Sequence, residues 1–104
     1  MQIQLSQDGE TGCAQINGEL TIYTAAELKD QLLKQLDQCK KIQLDLSQVE
    51  EVDSAGIQVL MLIRKQAIAE EKALTLSQIS ESLSRYFELY NLWDFFQLLA
   101  PAEA

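Results

Sequence analysis

The apolar positions change rhythm several times along this chain. Ile3 and Leu5 alternate with Gln2, Gln4 and Ser6, which predicts a first strand. Asp8-Gly9-Glu10-Thr11-Gly12 reads as a turn, its glycines placed where positive φ is needed. A second strand over about 13–17 follows, with Ala14 and Ile16 on one face, so the N-terminus predicts a hairpin. Leu28, Leu32, Leu36 and Cys39 then recur at helical spacing, while Lys29, Asp30, Lys34 and Asp37 point away. Thr24 and Glu27 have capping-box spacing at the start of this helix, and Tyr23 and Leu28 occupy the hydrophobic-staple positions.

Ile42, Leu44 and Leu46 alternate with Gln43, Asp45 and Ser47, giving a third strand, with Val49 and Val52 in the connection that follows. A second helix is predicted from about Ala55 to Glu71. Its core face is Gly56, Leu60, Ile63 and Ala67, flanked by Ile57 and Val59; Gln58, Lys65 and Lys72 centre the opposite face. Leu74 and Leu76 mark a fourth strand. Ser80 caps a third helix carrying Leu83, Phe87 and Tyr90, which Asn91 stops in the left-handed conformation. The apolar run from Leu92 to Leu99 must pack on the body, and the chain from Pro101 reads as a frayed tail. The order is β-β-α-β-α-β-α plus a C-terminal element. It predicts one α/β domain over 1–104, core about 1–99, with a mixed sheet of four to five strands and helices packed against it.

Composition narrows what such a domain can do. The 104 residues are 47% apolar, enough for one core. The net charge of −8 argues against nucleic acid and anionic membrane surfaces, which need a basic patch. No histidine is present, which removes the commonest general base and metal ligand. Cys13 and Cys39 lack ligand spacing and read as two buried free thiols of a reducing cytoplasm. No apolar run is long enough to span a bilayer, and the N-terminus lacks a basic signal-peptide start, so a soluble cytoplasmic domain is expected. No cofactor or metal is called for.

The chemistry concentrates at Val52-Asp53-Ser54-Ala55-Gly56-Ile57, the junction of the third strand and the second helix. Ser54 reads as an N-cap, with Ala55, Gly56 and Ile57 as the first turn. Capping is compatible with phosphorylation, because a phosphate at a helix N-terminus meets free amides and the positive end of the dipole. Such a modification would alter a partner's surface rather than the fold. Gly56 reads as close packing of the helix start on the sheet. Asp53 supports the turn and sets a carboxylate beside Ser54. Met61 and Leu62 flank the polar stripe, where core-edge packing and partner contact both remain open. A serine nucleophile has no base here, and the Gly-x-Ser-x-Gly elbow is absent. Glu50, Glu51 and Asp53 read as a solvated loop, and no phosphate-binding loop occurs.

Gly18-Glu19-Leu20, Thr24-Ala25, Glu27-Leu28, Leu44-Asp45-Leu46-Ser47 and Val52-Asp53-Ser54-Ala55-Gly56-Ile57 together resemble the STAS domain of bacterial anti-sigma factor antagonists. Ile79-Ser80, Arg85, Phe87 and Leu92 fit the same pattern. The resemblance implies a sheet with helices stacked on it, and partner switching. The unphosphorylated antagonist binds an anti-sigma factor that is also a serine kinase, which frees a sigma factor. Phosphorylation of Ser54 releases the complex, and a metal-dependent serine phosphatase resets it. The position after Gly18-Glu19-Leu20, acidic in many antagonists, is Thr21 here; the second motif hydroxyl is replaced by Ala55. The partner surface expected around Ser54 comprises Gln58, Met61, Leu62 and Lys65 on the helix, with Thr21 and Tyr23 beside it. The resemblance also admits an adaptor in another signalling pathway, such as a response-regulator or chemotaxis module, or a cytoplasmic subunit of a lipid-handling ABC transporter. The apolar tail with Met61 and Leu62 would allow a homodimer.

Overall fold

A computed structural model describes residues 1–96. The elements are β1 (Gln2–Asp8), β2 (Thr11–Leu20), α1 (Ala25–Gln38), β3 (Lys41–Val52), α2 (Ser54–Ala69), β4 (Ala73–Ile79) and α3 (Glu81–Tyr90). They follow the predicted order. The sheet runs β1-β2-β3-β4, with β1 antiparallel to β2 and the other pairs parallel. Two crossovers between parallel strands carry α1 and α2, and these helices pack against each other. The core lies between them and the sheet. Ile16, Leu20, Leu28, Leu32, Leu36, Leu46, Leu60 and Ile63 are all completely buried there. The other sheet face carries Gln15, Gln43, Asp45 and Ser77 and is polar.

Several expectations are corrected. β2 and β3 run well past their apolar alternation, so Val49 and Val52 belong to β3 rather than to a connection. These extensions carry the C-terminal ends of the two central strands beyond β4, and α3 packs against the overhang of β3. In the hairpin only Gly9 has positive φ, at 61°. Gly12 is needed for space instead: a Cβ there would lie 2.8 Å from both Cys39 Sγ and Gln35 Nε2. Cys39 is buried as expected, but Cys13 is exposed because β2 turns it to the open sheet face. Lys72 leaves the solvated face expected for it, because α2 ends at Ala69 and Glu71 turns at φ 57°. Its ammonium donates to Leu36 O and pairs with Glu70 at 3.3 Å.

The start of α1 also departs from the expected capping box. Thr24 has φ −115° and ψ −6°, already helical, so its hydroxyl cannot reach the first-turn amides. It donates toward Glu19 O at 3.0 Å and accepts from Thr21 N at 3.1 Å. Tyr23 is 91% exposed and makes no staple with Leu28. Ser80, by contrast, is extended and accepts from Leu83 N at 3.2 Å, so α3 is capped as predicted. Asn91 ends that helix at φ 53°, ψ 52°. Leu83 and Phe87 are buried, whereas Tyr90, the last residue of α3, is exposed and its ring lies 5.9 Å from that of Tyr86.

After α3 the chain folds back onto the body. Phe87 stacks on Phe96 with centroids 5.0 Å apart and meets Trp93 edge-on at 5.3 Å. Arg64, buried on α2, donates from Nε to Phe95 O at 3.2 Å and ties this segment down. Gln97, Leu98, Leu99 and the tail from Pro101 lie outside the described residues.

Candidate functional site

The site forms where the overhanging ends of β2 and β3 hand over to α1 and α2. Here the two junctions are fastened to each other. Asp53 N donates to Leu20 O at 3.0 Å, so the β2–β3 pairing reaches the last residue before α2. The Asp53 carboxylate then works in two directions. Oδ1 accepts from Gly56 N at 3.1 Å, and Oδ2 accepts from Ile22 N at 3.0 Å. One side chain thus caps α2 and pins the loop leading into α1.

This corrects the reading of Ser54 as the cap. Asp53 has φ −130° and ψ −179° and is the N-cap; Ser54 is the first helical residue. The hydroxyl of Ser54 is exposed, and no described residue bonds to it. The backbone bonds from Ile22, foremost, and from Gly56 and Ala55 hold the Asp53 carboxyl below its usual 3.8, against an opposing desolvation effect. A negative charge therefore stands beside Ser54 across the physiological range.

Gly56 is the floor of the junction. A Cβ at this position would lie 2.0 Å from Leu20 O and 2.4 Å from Leu20 C. Any side chain would have to displace main chain, so glycine is the residue that lets α2 start this close to β2. Its expected role in close packing is therefore seen directly.

From Ser54 an exposed stripe continues down α2. Gln58, Met61, Leu62 and Lys65 follow at +4, +7, +8 and +11, the spacing of one helix face. Gln58 and Lys65 are exposed and Leu62 is 38% exposed; Met61 is half-buried and packs on the core edge. On the other side of Ser54, the loop after β2 holds Ile22 at 68% and Tyr23 at 91% exposure. Two apolar side chains this open, adjacent in sequence and at the same end as Ser54, form the largest local apolar exposure near the junction. Thr21 is placed differently from expectation. It is buried, its hydroxyl donating to Glu19 Oε2 at 3.1 Å and accepting from Tyr23 N at 3.3 Å. It shapes the loop from within and presents little surface to a partner.

Between this loop and α3 lies a groove of about 550 Å³. Glu19, Glu50, Glu51 and Asp53 line it, with Tyr23 at one rim and Arg85 and Tyr86 at the other. Ser82 Oγ donates to Glu50 O at 3.0 Å and fixes the α3 wall. Local sequence spacing carries no signal for this wall, which comes from residues about thirty positions downstream. The Asp53–Ile22 tie is equally long in sequence and equally silent there. Among the described residues no cluster of His, Cys, Asp and Glu could hold a metal ion, and no helix is long and apolar enough to cross a membrane.

This mixed four-stranded sheet, with Asp53 capping α2 and Ser54 opening it after β3, is the fold of a STAS domain. The family model for "Mlab, STAS domain" matches residues 3–100, and the chain belongs to that family. It is 30% identical over 88 residues to the anti-sigma-B factor antagonist of Bacillus subtilis (strain 168), covering 85% of this chain and 81% of that protein. An anti-sigma factor antagonist from Mycobacterium paratuberculosis has the same fold, with a TM-score of 0.82 at 20% identity, over 96% of this chain and 86% of that one. The anti-sigma factor antagonist SpoIIAA in its unphosphorylated form gives 0.77 at 16% identity, over 98% and 90%.

Proposed function

We propose that this protein is an anti-sigma factor antagonist controlled by phosphorylation of Ser54. The single observation that carries the reading is that Ser54 is spared from structural work. Asp53 caps α2, which leaves the Ser54 hydroxyl exposed at the first helical position, beside a surface of Ile22, Tyr23 and Leu62. The kinship with the anti-sigma-B factor antagonist supports the same reading. In its unphosphorylated form the protein binds an anti-sigma factor through this surface and frees a sigma factor. The anti-sigma factor acts as the serine kinase, and a metal-dependent phosphatase restores the hydroxyl. The protein works by binding, in the cytoplasm, as one domain over 1–104.

The switch follows from electrostatics. A phosphate adds about −1.5 to −2 charges at pH 7. It would stand at the N-terminus of α2, where the helix tolerates it, so the fold survives modification. The partner does not tolerate it: a contact made by exposed apolar side chains would have to bury a dianion next to the ionised Asp53.

The test uses Ser54→Ala and Ser54→Asp beside the wild type as baits for the source cell's proteins. The alanine bait should hold an ATPase-type anti-sigma factor that the aspartate bait loses, while both keep the wild-type circular dichroism. Equal retention of one partner by all three baits would reject the switch and favour the transporter-subunit or unregulated-adaptor role.

A further inference from the structure

The free edge of the sheet at β1 has a property that the Ser54 surface does not use. β1 is the terminal strand, so one set of its backbone N–H and C=O groups faces away from β2. Terminal strands are ordinarily blunted by lysine, proline, a bulge or a covering element. Among the described residues β1 has none of these. Its sequence is Gln-Ile-Gln-Leu-Ser-Gln-Asp, and it pairs with β2 over seven consecutive residues, Gln2↔Asn17 through Asp8↔Thr11, without a register shift. Its helix-side residue Leu5 is 46% exposed. A groove of about 350 Å³ separates it from α1, walled by Gln31, Lys34, Gln35 and Gln38. The opposite edge differs. The helix-side residues of β4, Leu74 and Leu76, are already buried, and the β3–β4 register shifts between Leu44 and Asp45. A strand added to β4 would gain no apolar contact.

The charge distribution selects the occupant. The chain carries −8, so two copies repel over most of their surfaces. β1 is a neutral strip with one charge, Asp8, at its end. Laid antiparallel against itself in full overlap, β1 sets Leu5 opposite Leu5, Ile3 opposite Gln7, Gln4 opposite Ser6 and Gln2 opposite Asp8. No like charges face each other, and each Leu5 covers the other. Antiparallel pairing about a two-fold axis also closes the interface, whereas β1 against β4 would propagate without end.

We propose that two copies of this protein associate through β1, joining their sheets into one eight-stranded sheet with the two-fold axis at Leu5. The polar sheet faces become continuous, and no residue of the Ser54 junction enters the contact. The dimer is thus independent of the switch, and each protomer keeps its own partner surface.

Sedimentation equilibrium on the purified full chain tests this with wild type, Leu5→Lys, Leu5→Glu and a one-to-one mixture of the two variants. Wild type should show a reversible monomer–dimer equilibrium. It should tighten with added salt, because screening removes the net repulsion and the contact itself is uncharged. Each variant alone sets like charges opposite each other and should weaken association roughly tenfold or more. The mixture should recover it as a heterodimer, which also shows that both variants are folded. Hydrogen exchange on the wild type gives a readout without mutation: amides of β1 should gain protection as concentration rises. A wild type that stays monomeric up to about 1 mM would overturn the proposal. So would a variant that dimerises like wild type, a mixture that recovers nothing, or β1 exchange that ignores concentration.

Discussion

Two strand-to-helix junctions lie side by side at one end of the sheet, and they are built on opposite plans. The β3–α2 junction is closed. Its N-cap carboxylate is bonded on both oxygens, its amide is held by Leu20 O, and its glycine touches the neighbouring strand. The β2–α1 junction is open. Its first helical cap makes no side-chain bond to the helix, and its hydroxyls hold a small loop together from within. The closed junction fixes the position of Ser54, the proposed phosphorylation site. The open one leaves Ile22 and Tyr23 unburied. The proposed switch needs rigidity where a phosphate is read and exposed apolar area where a partner is held, and separate loops supply the two.

The closed junction can be broken hardest at its glycine. Gly56→Ala forces a methyl into the main-chain carbonyl of Leu20, which no side chain can swing away to relieve. We expect a loss of about 3 kcal/mol or more, the upper end for overpacking. Against a total stability of order 5–15 kcal/mol this lowers the melting temperature by about 10 °C or more, or prevents folding. A thermal melt within a degree or two of wild type would show that α2 can stand away from β2.

Asp53→Ala comes next. It removes the cap of α2 and the acceptor of Ile22 N together, and the cap alone is worth about 1 kcal/mol, up to about 2. Hydrogen exchange should locate the loss in Gly56 N and Ile22 N, on both junctions at once. Loss confined to Gly56 would mean that the two junctions are not coupled. The wild type should show the same coupling through pH. The folded carboxyl of Asp53 titrates below its usual 3.8, so its contribution is fully present above that value. It disappears as pH falls through the lower folded value. A carboxyl NMR titration should place Asp53 below exposed aspartates, and an unshifted midpoint would contradict the double hydrogen bond.

The three helix starts explain what could and could not be read in advance. Ser80 announced itself correctly because the backbone before α3 is extended, which is what a side-chain cap requires. Thr24 and Glu27 had equally good spacing and failed, because Thr24 is already helical and its hydroxyl donates to Glu19 O at the end of β2. At α2 the spacing favoured Ser54, yet the cap is one residue earlier, where the strand geometry of β3 persists through Asp53. Sequence spacing names the candidates, and the backbone conformation at the junction chooses among them. Period and burial fared better: the stripes of α1 and α2 and the alternation of β2 and β3 predicted the core almost residue by residue. Gly56 was legible as a close approach of helix to sheet, though not the Leu20 carbonyl it meets; the ties between Asp53 and Ile22 and between Arg64 and Phe95 left no trace, since each joins residues that are distant in sequence.

The smallest effect on the fold should come from the open junction. Tyr23 is 91% exposed, and only its main chain is held, by the hydroxyl of Thr21. Tyr23→Ala should therefore leave stability within about 0.5 kcal/mol of wild type. Binding should respond differently, because an exposed tyrosine gains its energy only when a partner covers it. Buried aromatic anchors of this kind are worth about 2 kcal/mol, close to a thirtyfold weakening of affinity. Calorimetry of the variant against the partner captured with Ser54→Ala would measure both quantities on one preparation. A large loss of affinity with an unchanged melt places the partner on the open junction. Unchanged affinity would move the contact down α2, to Gln58, Leu62 and Lys65, and leave Tyr23 without a role in the partner contact.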